Sequence, residues 1–161
     1  MDKKIKDRLI EFHVDHKEIN HDSFSSPIHS PADFAGALGY ELARITKTVF
    51  LRSKTRDKYI MAVCSCGEKL DLQKLAKLAQ VNKLQVADKQ ELSAQIGYPS
   101  SGVCAIGIPS QIEVYMNEDL LKYPSILTGS GEVAIEIELA PKDLALVSHA
   151  ILAEIVAKPL I

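Results

Sequence analysis

The sequence predicts a compact domain of mixed α/β class, and three observations support this. Short stretches rich in β-branched and aromatic residues recur along the chain. Segments with helix-start signals and apolar residues at helical spacing lie between them. The 161 residues, 47% hydrophobic and 25% charged, are enough for one globular domain with a real core. We therefore expect a single domain over residues 1–161, with about six or seven short strands and four or five helices.

Composition also limits the functions that the chain can have. The three cysteines, an odd number, suggest a reducing compartment rather than a disulfide scaffold. The N-terminus is charged rather than signal-like, and no apolar run approaches the roughly 18 residues of a membrane helix. The net charge of −2 argues against a protein that coats long nucleic acid. We expect a cytoplasmic protein with no membrane partner.

Four helix starts are marked by side chains that accept hydrogen bonds from first-turn N–H groups. These residues are Asp2, Ser30, Asp71 and Asp88, the last with Glu91 in a capping-box arrangement. Gly39 and Gly97 are placed to end the second and fourth helices. Pro141 is predicted to open a final helix, whose inward face carries Leu144, Val147, Ile151 and Ile155.

Strands are predicted between these helices. The predicted strands lie around Ile19 and at 48–52, 58–64, 84–87, 113–116, 125–127 and 133–139. In the last of them apolar residues alternate with Ala134, Glu136 and Glu138, which is typical of a half-buried strand. Asn117 is expected to cap a short turn through Leu121.

Lys47 lies where a polar lead-in becomes the apolar strand that begins at Thr48. Packing could hold such a lysine while its ammonium faces a cleft, where it would bind a phosphate or a carbonyl oxygen. The alternative is a solvated lysine at a strand end.

A basic segment surrounds this strand. Between Arg44 and Lys58 there are six basic residues against one acid, Asp57. This segment could hold the end of a nucleic acid, or it could be a solvated hairpin loop.

Two segments are rich in glycine and small residues. In residues 97–109, Gly102 and Gly107 would let the backbone approach a ligand and present its N–H groups. The alternative is a helix-to-strand connection with two convenient glycines. Residues 128–131 form a second small, polar corner.

The histidines and cysteines do not indicate a metal site. His13 and His16 have helical spacing, but no accompanying carboxylate pattern suggests more than surface histidines. Cys64 and Cys66 form a C-x-C pair with only Cys104 as a third thiol, so we interpret them as strand and loop residues. We expect no metal and no cofactor.

Taken together, four stretches resemble the YbaK/EbsC family, the aminoacyl-tRNA editing domain found free-standing and inserted in bacterial prolyl-tRNA synthetases. The likeness spans about residues 20 to 150 and keeps the order of the motifs. The stretches are the Lys-Thr-Val strand at 47–51, the Asp-Leu helix start at 69–76, the glycine loop at 97–107 and the closing segment at 128–144.

The resemblance implies an α+β fold, with a mixed, mostly antiparallel sheet or barrel and flanking helices. It also implies hydrolysis of the ester that joins a wrong amino acid to tRNA, without a metal. Lys47 and Gly102 would be the catalytic residues, because the lysine would hold a phosphate or the ester carbonyl and the glycine loop would polarise that carbonyl. The substrate-binding residues would be Thr46, Thr48, Tyr98, Ser101, Val103, Cys104, Ala105, Gly107, Thr128, Gly129 and Ser130.

The chain departs from the family pattern in its glycine loop and in its later corner. Ala105 stands where the family usually has a proline, and this change could loosen the loop. The family variant with a histidine in the later corner is absent, since Thr128 and Ser130 occupy that region. Whether cysteine, alanine or another small amino acid is removed therefore stays open.

Two hypotheses follow from these residues. The first is a trans-editing deacylase acting on aminoacyl-tRNA, above all Cys- or Ala-charged tRNA for proline, with prolyl-tRNA synthetase as a candidate partner. Water, a ribose hydroxyl or the substrate's own side chain would attack, since no Ser-His-Asp set is visible. The second is a catalytically weak module that binds an aminoacyl or nucleotide end. The tail residues Ile155, Val156, Leu160 and Ile161 could pack on the domain or on a partner.

Overall fold

A computed structural model describes residues 1–158 and confirms the α+β class. The five α-helices of this part of the chain are α1 Lys3–Glu11, α2 Pro31–Leu38, α3 Leu72–Leu78, α4 Lys89–Gln95 and α5 Pro141–Val147. Its eight strands are β1 His16–Asn20, β2 Thr46–Ser53, β3 Tyr59–Ser65, β4 Leu84–Val86, β5 Glu113–Asn117, β6 Ile126–Gly129, β7 Ile135–Leu139 and β8 Ile151–Ala153.

The strands form two open sheets. A three-stranded antiparallel sheet has the order β1-β7-β6. A five-stranded sheet has the order β4-β2-β3-β5-β8, antiparallel as far as β3 and parallel from β3 to β8. A parallel bridge between Ile45 and Leu127 connects the two sheets. The predicted mixed, mostly antiparallel arrangement is confirmed, whereas the barrel alternative is wrong because neither sheet closes on itself.

The predicted helix starts are confirmed by their capping hydrogen bonds. Each capping side chain accepts from a first-turn N–H, as in the bond of 2.8 Å from Lys4 N to Asp2 Oδ1. Glu91 completes the capping box, because its Oε1 accepts from Asp88 N at 3.3 Å. Gly39 ends α2 in the left-handed region, with φ of 68°.

Apolar side chains cover both faces of each sheet. The main core lies between the sheets, where Phe50 and Met61 of one sheet share a cluster with Ile137 of the other. A second cluster packs α3 on the far face of the five-stranded sheet, and a third packs Phe34 of α2 on the outer face of the three-stranded sheet. Because α2 covers that outer face, side chains of β7 that alternate away from the main core still lie under protein.

The predicted final helix is too long. α5 ends at Val147, and His149 adopts a φ of 53°, which a continuing right-handed helix does not allow. The chain then forms β8, which pairs with β5 in parallel. Ile155 is buried as expected, but in the cluster with α3, and its N–H donates to Asn117 Oδ1 at 3.1 Å. Leu144 and Val147 are buried by α5, but Ile151 is exposed on β8, so its predicted inward orientation is wrong.

Three smaller expectations are also wrong. Asn117 does not cap the turn that follows it, because its side-chain oxygen is used by Ile155. Strand β7 begins at Ile135 rather than Val133, which is 60% exposed, since Ala134 has a φ of 64°. Thr128 and Gly129 belong to β6 rather than to the corner after it.

Within residues 1–158, no helix is long and apolar enough to cross a membrane. Val156 forms an antiparallel bridge with Leu70, so this part of the tail packs on the domain. Leu160 and Ile161 lie outside the described residues.

Candidate functional site

The two glycine-containing segments pack backbone against backbone. A Cβ added to Gly102 would lie 2.6 Å from the carbonyl oxygen of Glu132. One added to Gly129 would meet the Val103 carbonyl group, with its carbon at 3.0 Å. Gly131 N also donates to Gly102 O at 2.8 Å. Only residues without a side chain fit this contact, so these glycines are required by packing whatever else they do.

The N–H group of Gly102 is already used inside the loop. It donates to Pro99 O at 2.9 Å, closing a tight turn. The structure therefore gives this N–H a structural partner, and polarisation of an ester carbonyl by Gly102 itself would require that bond to open. The catalytic assignment of Gly102 stays a prediction.

Several of the predicted substrate-binding residues in the glycine loop lie in the main core. Tyr98 is buried and donates its hydroxyl to Ile106 O at 2.8 Å. Gly107 has a φ of 73°, and a Cβ there would lie 2.9 Å from the Tyr98 hydroxyl. Cys104 and Ala105 are buried, and burial raises the pKa of the Cys104 thiol to about 12. Cys104 is thus a neutral thiol rather than a nucleophile at neutral pH.

A cavity of about 320 Å³ lies on the outer face of the three-stranded sheet, under α2 and the loop before it. Its walls bring together the predicted site residues Thr46 and Ser101, which are far apart in sequence. Thr46 Oγ1 donates to Leu127 O at 2.7 Å, so Leu127 and Thr46 form one fixed wall. Ser101 is exposed, and no hydrogen bond from its hydroxyl is seen in the described residues. The cavity lies next to the contact between the two glycine segments.

Lys47 is not among the residues that line this cavity. Side chains alternate along β2, so Lys47 shares a face with Val49 and Leu51, whereas Thr46 and Thr48 point to the opposite side. The Lys47 ammonium donates to the backbone oxygen of Glu68. Glu68 lines a second, more open cavity of about 400 Å³, with Gly67, Asp119, Lys122 and Tyr123 among its walls. The catalytic role of Lys47 also stays a prediction.

The two cysteines near Lys47 are poor nucleophiles because burial favours their neutral thiol form. Burial raises the pKa of Cys64 to about 11, although the nearby Lys47 charge acts in the opposite direction. Cys66 is half-buried, and burial raises its pKa as well. Cys64 lies on β3 opposite Lys47 and Cys66 follows that strand, as expected of strand and loop residues.

Glu136 and His21 line the first cavity and were not predicted as site residues. Glu136 Oε1 lies 3.4 Å from His21 Nε2, but the contact does not make a hydrogen bond. Burial raises the pKa of Glu136 to about 7 and lowers that of His21. The alternation in β7 had suggested a solvent-facing Glu136. The sequence carries no direct signal that α2 would cover this face.

Residues of the later corner face inward. Thr128 is 1% exposed, and its hydroxyl has no hydrogen-bond partner among the described residues. It lies opposite Ile137 and so points to the main core rather than to the cavity. Ser130 is buried and its hydroxyl contacts the backbone of Glu132 at 3.2 Å. Neither side chain lines the cavity.

Ion pairs and backbone bonds occupy most of the basic segment. Arg52 and Arg56 both approach Glu91, at 3.0 and 3.6 Å, and Lys58 pairs with Glu113 at 2.5 Å. Arg44 stacks on Tyr40, with 3.9 Å from its guanidinium carbon to the ring centroid. The structure therefore favours the hairpin alternative over a free phosphate-binding patch. In the part of the chain that is described, no three His, Cys, Asp or Glu side chains are grouped to hold a metal.

Comparison with known proteins places this chain in a family. A model described as "Aminoacyl-tRNA editing domain" matches residues 25–146. The "Putative Cys-tRNA(Pro)/Cys-tRNA(Cys) deacylase EbsC" of Enterococcus faecalis is 33% identical over 153 residues, covering 94% of this chain and 92% of that protein. An uncharacterized protein of Bacillus subtilis, YwhH, is 29% identical over 69% of each chain.

A solved structure supports the fold. A crystal structure described as "a putative trans-editing enzyme for prolyl tRNA synthetase" superimposes with a TM-score of 0.78 at 22% identity, covering 96% of this chain and 93% of that one. At this identity the likeness concerns the fold alone. The chain is an α+β protein with a partly closed, largely apolar cavity beside two closely packed glycine segments. It belongs to the aminoacyl-tRNA editing domain family.

Proposed function

We propose that the chain is a trans-editing deacylase that hydrolyses the ester of mischarged tRNA, above all cysteinyl or alanyl tRNA for proline. The observation that carries this proposal is the cavity of about 320 Å³ next to the Gly102–Gly129 contact. Its volume is at the lower end of the range for small-molecule sites, which suits an aminoacyl group with part of its ribose. The E. faecalis relative is named for a substrate of this class.

Hydrolysis here needs no protein nucleophile. Water would add to the ester carbonyl carbon directly, or the acyl group would first pass to a ribose hydroxyl or to the thiol of a cysteinyl substrate and water would then release it. The bond from that carbon to the ribose oxygen would then break, and the ribose oxygen would take a proton. The chain would contribute by orienting the ester and stabilising the negative charge on the carbonyl oxygen. The exposed hydroxyl of Ser101 is placed to donate from the cavity wall.

Lys47 would act only after its ammonium group gives up its hydrogen bond to the backbone oxygen of Glu68. In the proposed role it exchanges its bond to Glu68 O for a phosphate of the tRNA, since its side chain points away from the cavity that would hold the ester. A charged partner makes the stronger hydrogen bond, so a phosphate competes well with a backbone carbonyl. The terminal phosphates of tRNA lie close to the ester, and they are the partner that we expect.

The second candidate is a module that binds the acceptor end with little turnover. The bonds that already occupy Lys47 Nζ and Gly102 N favour it, because both groups were expected to face substrate. In either case we propose that the chain acts as one domain in the cytoplasm, with aminoacyl-tRNA as ligand and prolyl-tRNA synthetase as a candidate partner.

Deacylation of a panel of tRNAs for proline tests the proposal. The panel contains cysteinyl, alanyl, seryl and correctly charged species, and release of the amino acid is measured over time. We expect release from one mischarged species and a loss of at least about tenfold with Lys47→Ala. Lys54→Ala is the matched control, because this exposed lysine has no ion pair within residues 1–158.

The two candidates give different results in this assay. Release that Lys47→Ala reduces and Lys54→Ala leaves unchanged supports the deacylase and the role of Lys47. Release unaffected by Lys47→Ala removes that role and leaves the deacylase standing. No release from any species, with tRNA still bound, refutes the deacylase and supports the binding module.

A further inference from the structure

One carboxyl group faces the cavity at the outer face of the three-stranded sheet, and it has no cationic partner there. Glu136 is the acid that lines this cavity, and none of the residues lining it is a lysine or an arginine. This contrasts with the hairpin of the five-stranded sheet, where Arg52 near the end of β2 and Arg56 in the turn after it both approach Glu91. A carboxyl group without a partner in a partly closed cavity is unusual, because burial disfavours its charged form.

No lysine or arginine lies among the residues that surround Glu136 in this cavity. His21 lies closest, but burial keeps its imidazole neutral at neutral pH, and its Nε2 has no hydrogen-bond partner among the described residues. His29 lines the same cavity, and the neutral thiol of Cys104 lies behind the strand. Asp22, next to His21 in sequence, adds negative rather than positive charge.

The remaining walls strengthen any charge interaction in this cavity. Apolar side chains including Ile28, Phe34, Ile45 and Leu127 form much of its lining. An ion pair in such surroundings is screened less than one at the surface. A cationic ligand group near Glu136 would therefore bind strongly and would restore the ionised carboxylate.

We propose that Glu136 binds the α-ammonium group of the aminoacyl ester, so that this cavity selects ligands that carry a free amine. The identity of the amine as an aminoacyl α-ammonium rests on the proposed function. Glu136 would then be a specificity-determining residue that distinguishes an aminoacyl ester from an acyl ester of the same size. His21 would lie beside the bound ammonium and accept a hydrogen bond from it through Nε2.

Binding by this route releases protons. Because the pKa of Glu136 is about 7, roughly half of the free molecules carry a proton on this group at pH 7. An ammonium group beside it lowers that pKa, and about half a proton leaves per ligand bound. The release from the carboxyl group becomes smaller as the pH rises above 7, because more of the free protein already carries an ionised Glu136.

Two adenosine analogues test the inference. In one, an amide replaces the ester of alanyl-adenosine so that it cannot be hydrolysed. The other carries a propionyl group and lacks only the α-ammonium. Binding of each is measured by titration calorimetry at pH 7 in two buffers of different ionisation enthalpy, which gives both affinity and proton release.

We expect the protein to bind the alanyl analogue about tenfold to a hundredfold more tightly than the propionyl analogue. Glu136→Gln should remove this preference and the proton release while leaving affinity for the propionyl analogue unchanged, which also verifies the fold of the variant. Glu136→Asp keeps the charge and should retain part of the preference. Glu138→Gln is the matched control, because Glu138 lies on the same face of β7 outside the cavity lining.

Each contrary result overturns the inference. It fails if the protein does not prefer the alanyl analogue, if Glu136→Gln keeps the preference, or if neither analogue binds. The tRNA deacylation assay separates this from failure of the proposed function. Deacylation without amine preference refutes the role of Glu136 alone, whereas amine preference without deacylation of any tRNA refutes the enzyme and leaves the binding role.

Discussion

The two sheets differ in how they treat buried and half-buried polar side chains. Around the hairpin of the five-stranded sheet such groups are paired: Arg52 with Glu91, Lys58 with Glu113 and Ser53 with Asp57. The exception is Asn117 at the end of β5, whose side-chain nitrogen has no hydrogen-bond partner among the described residues. In and beside the three-stranded sheet, Thr128 Oγ1 and His21 Nε2 have no partner among the described residues, and Glu136 lacks a cation.

This difference separates paired polar groups, which stabilise the fold, from His21 and Glu136, which line the cavity, whereas Thr128 lies on the opposite face of its sheet. A paired buried group contributes modestly to stability, whereas an unpaired one costs free energy in the absence of ligand. Unpaired polar groups cluster on the sheet that carries the cavity. The clustered basic residues suggested a site at the hairpin, whereas most of the polar groups without a partner lie in and beside the three-stranded sheet.

The largest effect is expected from a side chain introduced into the close contact between the glycine segments. Gly129→Ala places a methyl group against the Val103 carbonyl and should lower the free energy of unfolding by about 2–4 kcal/mol, with loss of activity. Urea denaturation measures this. Gly36→Ala is the control, because nothing lies near a Cβ there and alanine favours helix α2, which predicts a gain of about 0.5–1 kcal/mol. Equal behaviour of the two variants would contradict the close backbone contact.

The next effect concerns the pH dependence of stability. Burial holds the pKa of Glu136 at about 7 in the folded protein, above its ordinary value of 4.5, so the folded state binds more protons than the unfolded state between these values. Stability should therefore fall as the pH rises from about 4.5 to 7. Glu136→Gln should remove this loss and be about 1–3 kcal/mol more stable than the native protein at pH 8. Urea unfolding at pH 5 and pH 8 tests this, and a difference that does not depend on pH would count against it.

Removing a paired carboxylate should destabilise the protein, whereas removing the unpaired one should stabilise it at pH 8. Glu91→Ala removes the partner of Arg52, whose side chain is only 13% exposed, and also a capping-box bond of α4. We expect a loss of about 1–3 kcal/mol in the free energy of unfolding. Arg56→Ala, on the same glutamate but 59% exposed, should change stability by no more than about 0.5 kcal/mol. Thermal and urea unfolding of both variants measures these two losses. A loss with Arg56→Ala as large as that with Glu91→Ala would contradict the prediction.

Local signals predicted much of the fold. Capping side chains and glycine stops located α1 to α4 because those interactions lie within a few residues. The C-terminal segment was predicted wrongly because the left-handed residue at His149 carries no glycine signal, while the apolar spacing still fitted a helix. Pairing of β8 with β5 is a long-range event that local pattern does not encode.

The site was less predictable for a related reason. Thr46 and Ser101 were named from the sequence, and the fold brings both to one cavity. The direction of the Lys47 side chain depends on a bond to Glu68 that no spacing rule contains. The alternation of residues in β7 is typical of a strand whose glutamates face solvent. Glu136 is half-buried because α2 packs over this face, and the sequence carries no local signal of that packing. Predicting it would have required the tertiary structure first.

The amino-terminal part of the chain has a consequence for how the protein can be divided. Asp2 N donates to Ser130 O at 2.9 Å, and a Cβ on Gly131 would lie 2.6 Å from Asp2 Cβ, so α1 seals the outside of the second glycine corner. His21 and all of β1 also precede residue 25, where the family match begins. A fragment cut at that residue would lose one wall of the cavity and the edge of its sheet. The folded unit is therefore larger than the segment that the family model matches.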